Sequence, residues 1–375
     1  MCSLRAEWEA RRVRPVRLCA VAVVVVACGA VPSVAPAATV ARPVVGGAVR
    51  EYQGTIVFSE YDQAERQWYL VVREVGARQR RLALAPSPVP FDADIGTDSK
   101  GRPQLVYQRC KGTVSALTGC ELFVFSLANG SGERPVRNAN DPEHNDVSPT
   151  LWRGRIAWVR EYGSGTTANP VVYTKTLTAP RSQPSTRLPG VPQRRCSTLV
   201  SVKPLCGPTQ SRRVPALELW GDNLALIVGY VFRELGGSSQ SELRLDRISE
   251  RSARPVAFQA SGESGVFLVG PSFFSGRLAW YKACGDTAEP TCRTAVGPWR
   301  YRLSTRRYER GAPGPIFVLG FADTGTRLYE VVGCYPATTV GLPQYGPQPA
   351  DCRIDSVAPP AYAPSQPPLG DLRFP

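Results

Sequence analysis

The sequence predicts an all-β protein, a β-propeller of about six blades with three to four antiparallel strands in each blade. Three observations lead to this fold class. The 34 glycines and 35 prolines are spread between short apolar runs, which is typical of many strands joined by turns. A strand–turn–strand pattern recurs along the chain, and cysteines recur in step with it. Seven blades remain compatible with the pattern.

Residues 1–37 have the features of a signal peptide. Arginines between residues 11 and 17 precede the apolar stretch Leu18–Ala27, which is too short to cross a bilayer. Two processing routes remain open. Ala35–Ala37 forms an A-x-A cleavage site, whereas Cys28 follows a sequence that resembles a bacterial lipobox and is a candidate for lipidation. Both routes predict a secreted or extracytoplasmic protein, attached to a membrane only if Cys28 is lipidated.

The repeat defines the predicted propeller domain, residues 38–357. Its clearest copies are Asp146–Val159, Gly270–Tyr281 and Leu217–Ile227. The copies align on one apolar residue of the second strand, which we call the anchor. The six anchors are Ile56, Leu105, Ile156, Leu224, Leu278 and Leu328. They lie 49 to 68 residues apart, close to the period of a propeller blade, in which neighbouring sheets bury each other's faces.

The two ends of the domain receive different predictions. The last blade lacks a fourth strand, and the segment Thr39–Val45 is predicted to supply it and so close the ring. Residues 358–375 are rich in proline and are predicted to form a disordered tail.

Eight cysteines of the mature chain fall into four local pairs. The pairs are Cys110/Cys120, Cys196/Cys206, Cys284/Cys292 and Cys334/Cys352. Eight cysteines allow 105 connectivities, but the separations within pairs are much shorter than those between them, so local disulfides in an oxidising compartment are predicted. Zinc ligation does not fit, because the spacings are too long and histidine is nearly absent. No metal and no cofactor are predicted.

One copy of the repeat resembles a known family. Ser148–Val159 is similar to the repeat of TolB-type β-propellers, with Asp146 and Pro149 at the family's acidic and proline positions. Trp152–Gly154 and Ser275–Gly276 replace the family's usual Ser-Pro-Asp-Gly turn. The resemblance implies a propeller fold. It implies little about TolB's role in envelope protein complexes, because a fold does not fix a function.

Few residues suggest catalysis. His144 is the only histidine, and it lies with Asp146 before a predicted innermost strand, so both are weak candidates for the propeller's mouth. Such a polar cluster is first of all typical of a turn. The spacing of Asp92, Asp94 and Asp98 resembles a calcium loop, but the glycine is misplaced and the final glutamate of that motif is missing.

The remaining features favour binding over catalysis. Four tryptophans recur with the blades, which favours core packing over a sugar-binding platform: Trp152, Trp158, Trp220 and Trp280. The net charge is +14, but acidic and basic residues interleave, so no specific nucleic-acid partner is predicted. The sequence predicts a non-catalytic secreted or cell-envelope scaffold with a protein or glycan partner. The alternative is an extracellular hydrolase or lyase with its site at the central mouth.

Overall fold

Short alternating apolar runs form antiparallel strands throughout the protein. The structure, a computed structural model, describes residues 37–42, 48–113, 116–128, 130, 132–163, 169–180, 182–189, 191, 211–231, 239–261, 266–285, 296–334 and 351–368. These residues contain no helix, and their strands form six sheets. The predicted all-β propeller is confirmed, with six blades of four or five strands.

Each blade begins at the propeller axis and continues outward. Blade 1 contains β2 (Val49–Tyr52), β3 (Thr55–Asp62), β4 (Gln67–Arg73) and β5 (Arg80–Arg81). Blade 2 contains β6 (Ala93–Thr97), β7 (Pro103–Thr113), β8 (Ala116–Ser126) and β9 (Arg134–Pro135). Blade 3 contains β10 (Asn145–Trp152), β11 (Arg155–Tyr162), β12 (Asn169–Thr176) and β13 (Thr186–Arg187).

The second half of the ring repeats this order. Blade 4 contains β14 (Ser211–Trp220), β15 (Asn223–Val231), β16 (Ser239–Arg247) and β17 (Ser252–Ser261). Blade 5 contains β18 (Val266–Phe274), β19 (Arg277–Cys284), β20 (Gly297–Arg302), β21 (Tyr308–Gly311) and β25 (Tyr362–Ser365). Blade 6 contains β22 (Val318–Asp323), β23 (Leu328–Val332), β24 (Arg353–Val357) and, outermost, β1 (Ala38–Ala41).

The first strands of the blades contact one another in sequence around the axis, and β22 contacts β2, so the ring is closed. The anchors occupy one structural position. Each is buried in the second strand of its blade and pairs with a residue near the end of the first strand, as Ile56 does with Glu51 and Ile156 with Leu151. The period of about 50 residues is therefore the period of the blades.

Alternate residues of the second strands fill alternate interfaces between blades. Leu105 packs in the cluster between blades 1 and 2, while its neighbour Val106 packs with Ile156 and Trp158 between blades 2 and 3. Because both faces of such a strand are buried, its sequence reads as a continuous apolar run. Trp158 and Trp280 are fully buried in these interfaces, which agrees with the prediction of core packing, whereas Trp152 and Trp220 are only half-buried.

Proline marks a bulge in three innermost strands. The strand register shifts at Ser148–Pro149, Val214–Pro215 and Gly270–Pro271. Proline lacks an N–H, and it is tolerated here because the innermost strand is the edge of its sheet. A proline in the repeat therefore indicates that its strand is the innermost, edge strand of the blade.

The ring closes through the first described strand. β1 pairs antiparallel with β24, with Ala38 opposite Ser356 and Thr39 opposite Asp355. The predicted closure by the segment that begins at Thr39 is confirmed, although residues 43–47 lie outside the described residues.

The tail departs from its prediction over part of its length. Residues 358–375 were predicted to be disordered, but β25 pairs with β21, and Phe258 N–H donates to the Pro368 carbonyl at 3.0 Å. The pairing is compatible with Pro364, because β25 is the outermost strand of its sheet and proline is tolerated in edge strands. The Tyr362 ring covers the guanidinium of Arg300 at 3.8 Å, which gives the strand a side-chain contact as well.

Within the described residues both cysteines of two predicted disulfides are bonded as predicted, Cys110–Cys120 and Cys334–Cys352. Cys284 is also disulfide-bonded, while Cys196, Cys206 and Cys292 lie outside the described residues. Among the described residues no helix is long and apolar enough to span a membrane. Cys28 and residues 1–36 of the predicted signal peptide lie outside the described residues.

Candidate functional site

A ring of equivalent residues surrounds the propeller axis. In each innermost strand this residue lies one position before the partner of the anchor, as strand register shows. Around the six blades the members of this axial ring are Arg50, Asp94, Thr150, Glu218, Ser272 and Ala322. Five of the six are polar.

The axial ring ties each blade to the next. The Asp94 carboxylate accepts the N–H of Leu151 in blade 3 at 2.7 Å. Thr150 Oγ1 accepts the N–H of Leu219 in blade 4 at 3.0 Å. The innermost strand is a sheet edge whose amides would otherwise lack partners, so these side chains satisfy groups that are costly to bury unpaired.

The same bond recurs at the next two junctions. Glu218 accepts the N–H of Phe273 in blade 5, and Ser272 Oγ accepts the N–H of Asp323 in blade 6 at 2.9 Å. Ala322 has no polar atom and Arg50 has no acceptor, so the two junctions of blade 1 cannot form this bond.

Arg50 instead crosses the axis. Its guanidinium donates to the Leu217 carbonyl in blade 4 at 3.2 Å and to the Pro271 carbonyl in blade 5 at 3.3 Å. Blade 4 lies opposite blade 1 in a six-membered ring, so the side chain spans the centre. It is only 5% exposed. Arg50 therefore fills the middle of the propeller.

Carboxylates surround this arginine. Burial raises the pKa of Asp92 to about 6 and that of Glu51 to about 7. Burial and the nearby charge of Asp94 raise the pKa of Glu218 well above its usual range. The positive charge of Arg50 opposes these shifts at Asp92, Asp94 and Glu218. The positive charge of Arg50 therefore offsets part of the cost of burying these carboxylates.

These acids are committed to the scaffold. Thr150 Oγ1 also donates to Asp94 at 2.8 Å, and Asp94 accepts the N–H of Ile95 at 2.8 Å. In the described part of the chain no three His, Cys, Asp or Glu residues are arranged to hold a metal ion. The axis therefore combines raised carboxyl pKa values with side chains that mostly bond to the scaffold, while Glu218 Oε2 is buried without a hydrogen-bond partner among the described residues.

The end of the propeller that carries the first turn of every blade is different. We call it the turn face. Gln53–Gly54, Arg153–Gly154 and Ser275–Gly276 all have positive φ at both residues, as the tight hairpins of twisted strands require. These turns place the ends of the innermost strands at the surface around the axis.

Aromatic side chains from three successive blades form an arc on the turn face. The ring of Trp152 lies 5.8 Å from that of Trp220, which stacks 6.3 Å from Phe273. All three are half-buried, and the guanidinium of Arg153 lies 5.5 Å above the Trp152 ring. We call Trp152, Trp220 and Phe273 the aromatic arc. Half-exposed aromatic rings beside hydrogen-bonding groups suit ligands with both apolar and hydroxyl surfaces.

The sequence-predicted site residues lie elsewhere. His144 lies at the end of the propeller opposite the turn face, 4.3 Å from the Tyr162 ring. Asp146 is fully buried and accepts hydrogen bonds from Trp158 Nε1 and Arg160 Nε, both at 2.8 Å. It holds the interior of blade 3 together and does not face solvent.

The three aspartates of the calcium-like motif also separate. Asp94 belongs to the axial ring and Asp92 lies beside Arg50, whereas Asp98 accepts the backbone N–H groups of Lys100 and Arg102 in the first turn of blade 2. Sequence reasoning missed the axial ring and did not separate the surface tryptophans Trp152 and Trp220 from the buried ones.

The propeller is similar to that of TolB. TolB from Acinetobacter baumannii shares 12% identity with a TM-score of 0.44, covering 84% of this chain and 67% of its own. An alpha-L-arabinofuranosidase from Fusarium graminearum, in complex with an iminosugar inhibitor, shares 8% identity with a TM-score of 0.50, covering 87% of this chain and 98% of its own.

An alpha-L-arabinanase from Penicillium chrysogenum, in complex with arabinobiose, shares 10% identity with a TM-score of 0.47, covering 87% of this chain and 98% of its own. No family model and no curated protein matches the sequence. At these identities the similarities establish the fold alone.

Proposed function

We propose that the protein is a non-catalytic, extracytoplasmic propeller that binds a glycan on its turn face, through the aromatic arc. The observation that carries this proposal is the contrast between the arc and the rest of the molecule. Trp158 and Trp280 are fully buried, while Trp152 and Trp220 are half-exposed and lie side by side with their ring planes tilted by 58°. Sugar rings present apolar faces that pack on such aromatic surfaces.

The contacts of the side chains at the propeller axis favour glycan binding over glycan hydrolysis. A propeller hydrolase with its site on the axis needs room there for a substrate and acids that are free to exchange protons. Arg50 fills this space, and Asp94 and Glu218 accept backbone N–H groups of the next blade.

A hydrolase remains the second candidate, because the pKa of Glu51 is raised to about 7 and that of Glu218 also lies well above its usual range. Raised carboxyl pKa values are typical of general acids. Wild-type protein is incubated with envelope polysaccharides, and released reducing ends are measured. Release that is lost in Glu218→Gln, with folding intact, would replace the binding proposal by the hydrolase.

The binding proposal is tested with a glycan array and with tryptophan fluorescence. Trp152→Ala and Trp220→Ala are each expected to weaken glycan binding about tenfold or more, because aromatic anchors carry a large share of binding energy. Tyr69→Ala, which removes a half-buried aromatic ring from β4, is the matched control and is expected to bind normally. Equal loss in the control, or none in the arc variants, would contradict the proposal.

Export also belongs to this proposal. The disulfides are compatible with an oxidising compartment, and β1 begins at Ala38, directly after the predicted A-x-A site. Cleavage there leaves the closing strand intact, whereas lipidation of Cys28 would leave a spacer before it. Intact mass of the exported protein is expected to begin at Ala38. A lipid adduct on Cys28 would instead establish membrane attachment.

A further inference from the structure

A basic groove opens on the turn face between blades 2 and 3. It has a volume of about 740 Å³, within the range of roughly 300–1,000 Å³ that is typical of small-ligand sites. The first turn of blade 2 and residues 177–180 of blade 3 form its two sides. Gly154 N–H donates to the Thr97 carbonyl at 2.7 Å, so the first turn of blade 3 is fixed against blade 2 beside the groove.

Positive charge dominates the groove. Its charged lining consists of Lys100, Arg102, Arg134, Arg137, Lys175 and the single acid Asp98. Asp98 is already paired with Arg102, at 2.6 Å. In the described part of the chain Lys100, Arg134 and Arg137 have no carboxylate partner. The groove therefore offers three uncommitted cations to an anionic ligand.

A buried glutamine at the groove calls for a hydrogen-bond donor on the ligand. Gln104 lines the groove and is only 6% exposed, and its Oε1 atom has no hydrogen-bond donor among the described residues. A buried acceptor without a partner is costly, and a ligand hydroxyl is a group that would satisfy it. The groove thus matches a ligand that carries both anionic groups and hydroxyl donors.

We infer that this groove binds the acidic residues of a saccharide chain, with carboxylates on Lys100, Arg134 and Arg137 and a hydroxyl on Gln104. The inference rests on the proposed glycan-binding function and names its substrate class. The groove and the aromatic arc meet at one turn, since Gly154 lines the groove and Trp152 lies just before it. One glycan can therefore place an apolar sugar face on the arc and its charged units in the groove.

The test measures binding of a galacturonic acid trimer by calorimetry at low salt. The double variant Lys100→Ser/Arg137→Ser is expected to weaken binding about tenfold or more. The control Arg78→Ser/Arg307→Ser removes the same charge at exposed sites outside the groove and is expected to bind normally. The neutral methyl ester of the trimer is expected to bind at least tenfold more weakly to the wild type, and added salt to weaken the acid form.

A second probe separates a sugar site from a general anion patch. Gln104→Met is expected to weaken the trimer several-fold and to leave binding of tripolyphosphate, which has no sugar hydroxyl, unchanged. Tripolyphosphate that binds as tightly as the trimer and competes with it would overturn the assignment to a saccharide. Loss in the Arg78→Ser/Arg307→Ser control equal to that in the groove variant would overturn the groove itself.

The outcomes distinguish this inference from the proposed function. If Trp152→Ala and Trp220→Ala bind glycans normally while Lys100→Ser/Arg137→Ser loses the trimer, the arc proposal fails and the groove stands. If the arc variants lose glycan binding while the groove variant retains the trimer, the groove inference fails and the proposed function stands.

Discussion

The axis and the turn face of the propeller use polar residues in opposite ways. At the axis, Asp94, Thr150 and Ser272 each accept an N–H from the next blade. On the turn face, Lys100 and Arg137 are exposed and have no side-chain partner among the described residues. The acidic and hydroxyl side chains at the axis hold the ring together, whereas Lys100 and Arg137 on the turn face remain free to bind a ligand.

This difference gives a criterion for locating function in a propeller. A cluster of acids at the axis resembles an active site by composition, but the partners of each carboxylate decide its role. Where every partner is a neighbouring strand, substitution is expected to change stability first. Where partners are missing, substitution is expected to change binding first. Four predictions test this contrast, in order of decreasing effect on stability.

Arg50→Met is expected to have the largest effect. It keeps the length of the side chain but removes the charge that faces Asp92, Asp94 and Glu218. Removing one partner from a buried charged cluster costs about 3–5 kcal/mol. Denaturant unfolding at pH 7 should show this loss.

The loss is also expected to shrink at pH 5, where the surrounding acids take up protons and no longer need the arginine. Arg306→Met, at an exposed site, is the control and should change the unfolding free energy little. An Arg50→Met variant as stable as the wild type at pH 7 would show that the axis does not depend on its arginine.

Thr150→Val tests a single bond of the axial ring. Valine has the shape of threonine, so the change removes Oγ1, the acceptor of Leu219 N–H and a donor to Asp94, without opening a cavity. A buried amide left unpaired costs about 1–3 kcal/mol. Thr305→Val at an exposed turn is the control. If the free energy of unfolding of Thr150→Val equals that of the wild type, the hydrogen bonds of the axial ring do not hold blades 2, 3 and 4 together.

Part of this arrangement was accessible from the sequence. The anchors were aligned correctly, and the axial ring lies six residues before the anchor in five blades: Arg50, Thr150, Glu218, Ser272 and Ala322. A position that is polar in four of these five copies is a signal that the alignment contained. Blade 2 hides it, because its longer first turn places Asp94 eleven residues before Leu105.

Other features needed the three-dimensional structure. That Arg50 reaches blades 4 and 5 depends on side-chain direction across a closed ring, which no local pattern encodes. Trp152 and Trp158 belong to the same copy of the repeat, yet one is half-exposed and the other fully buried. Their difference follows from position, since Trp152 directly precedes the turn at Arg153–Gly154 and Trp158 lies in the middle of a second strand.

The pH dependence of stability gives a smaller effect at the axis. The pKa of Glu51 is raised to about 7 in the folded protein by burial, with a further contribution from Asp323. The folded state then holds a proton that the unfolded state releases above about pH 4.5, so stability falls as pH rises from about 4.5 to 7. Glu51→Gln is expected to remove this contribution. We expect it to amount to about 1 kcal/mol of unfolding free energy across the window, since partial exposure of Glu51 reduces the effect.

Melting temperatures between pH 4.5 and 8 measure this slope. Glu65→Gln, an exposed glutamate in the turn between β3 and β4, is the control and should retain the wild-type slope. A wild-type protein that becomes more stable as pH rises through this window would contradict the assignment.

Lys100→Ser/Arg137→Ser is expected to have the smallest effect on stability and completes the contrast with Arg50. Because neither cation has a carboxylate partner, their removal should change the unfolding free energy by less than about 0.5 kcal/mol. The same variant is expected to lose acidic-saccharide binding. A large loss of stability would show that these two cations, like Arg50, stabilise the fold. Stability retained with binding lost would separate residues that hold the propeller together from residues that recognise its ligand.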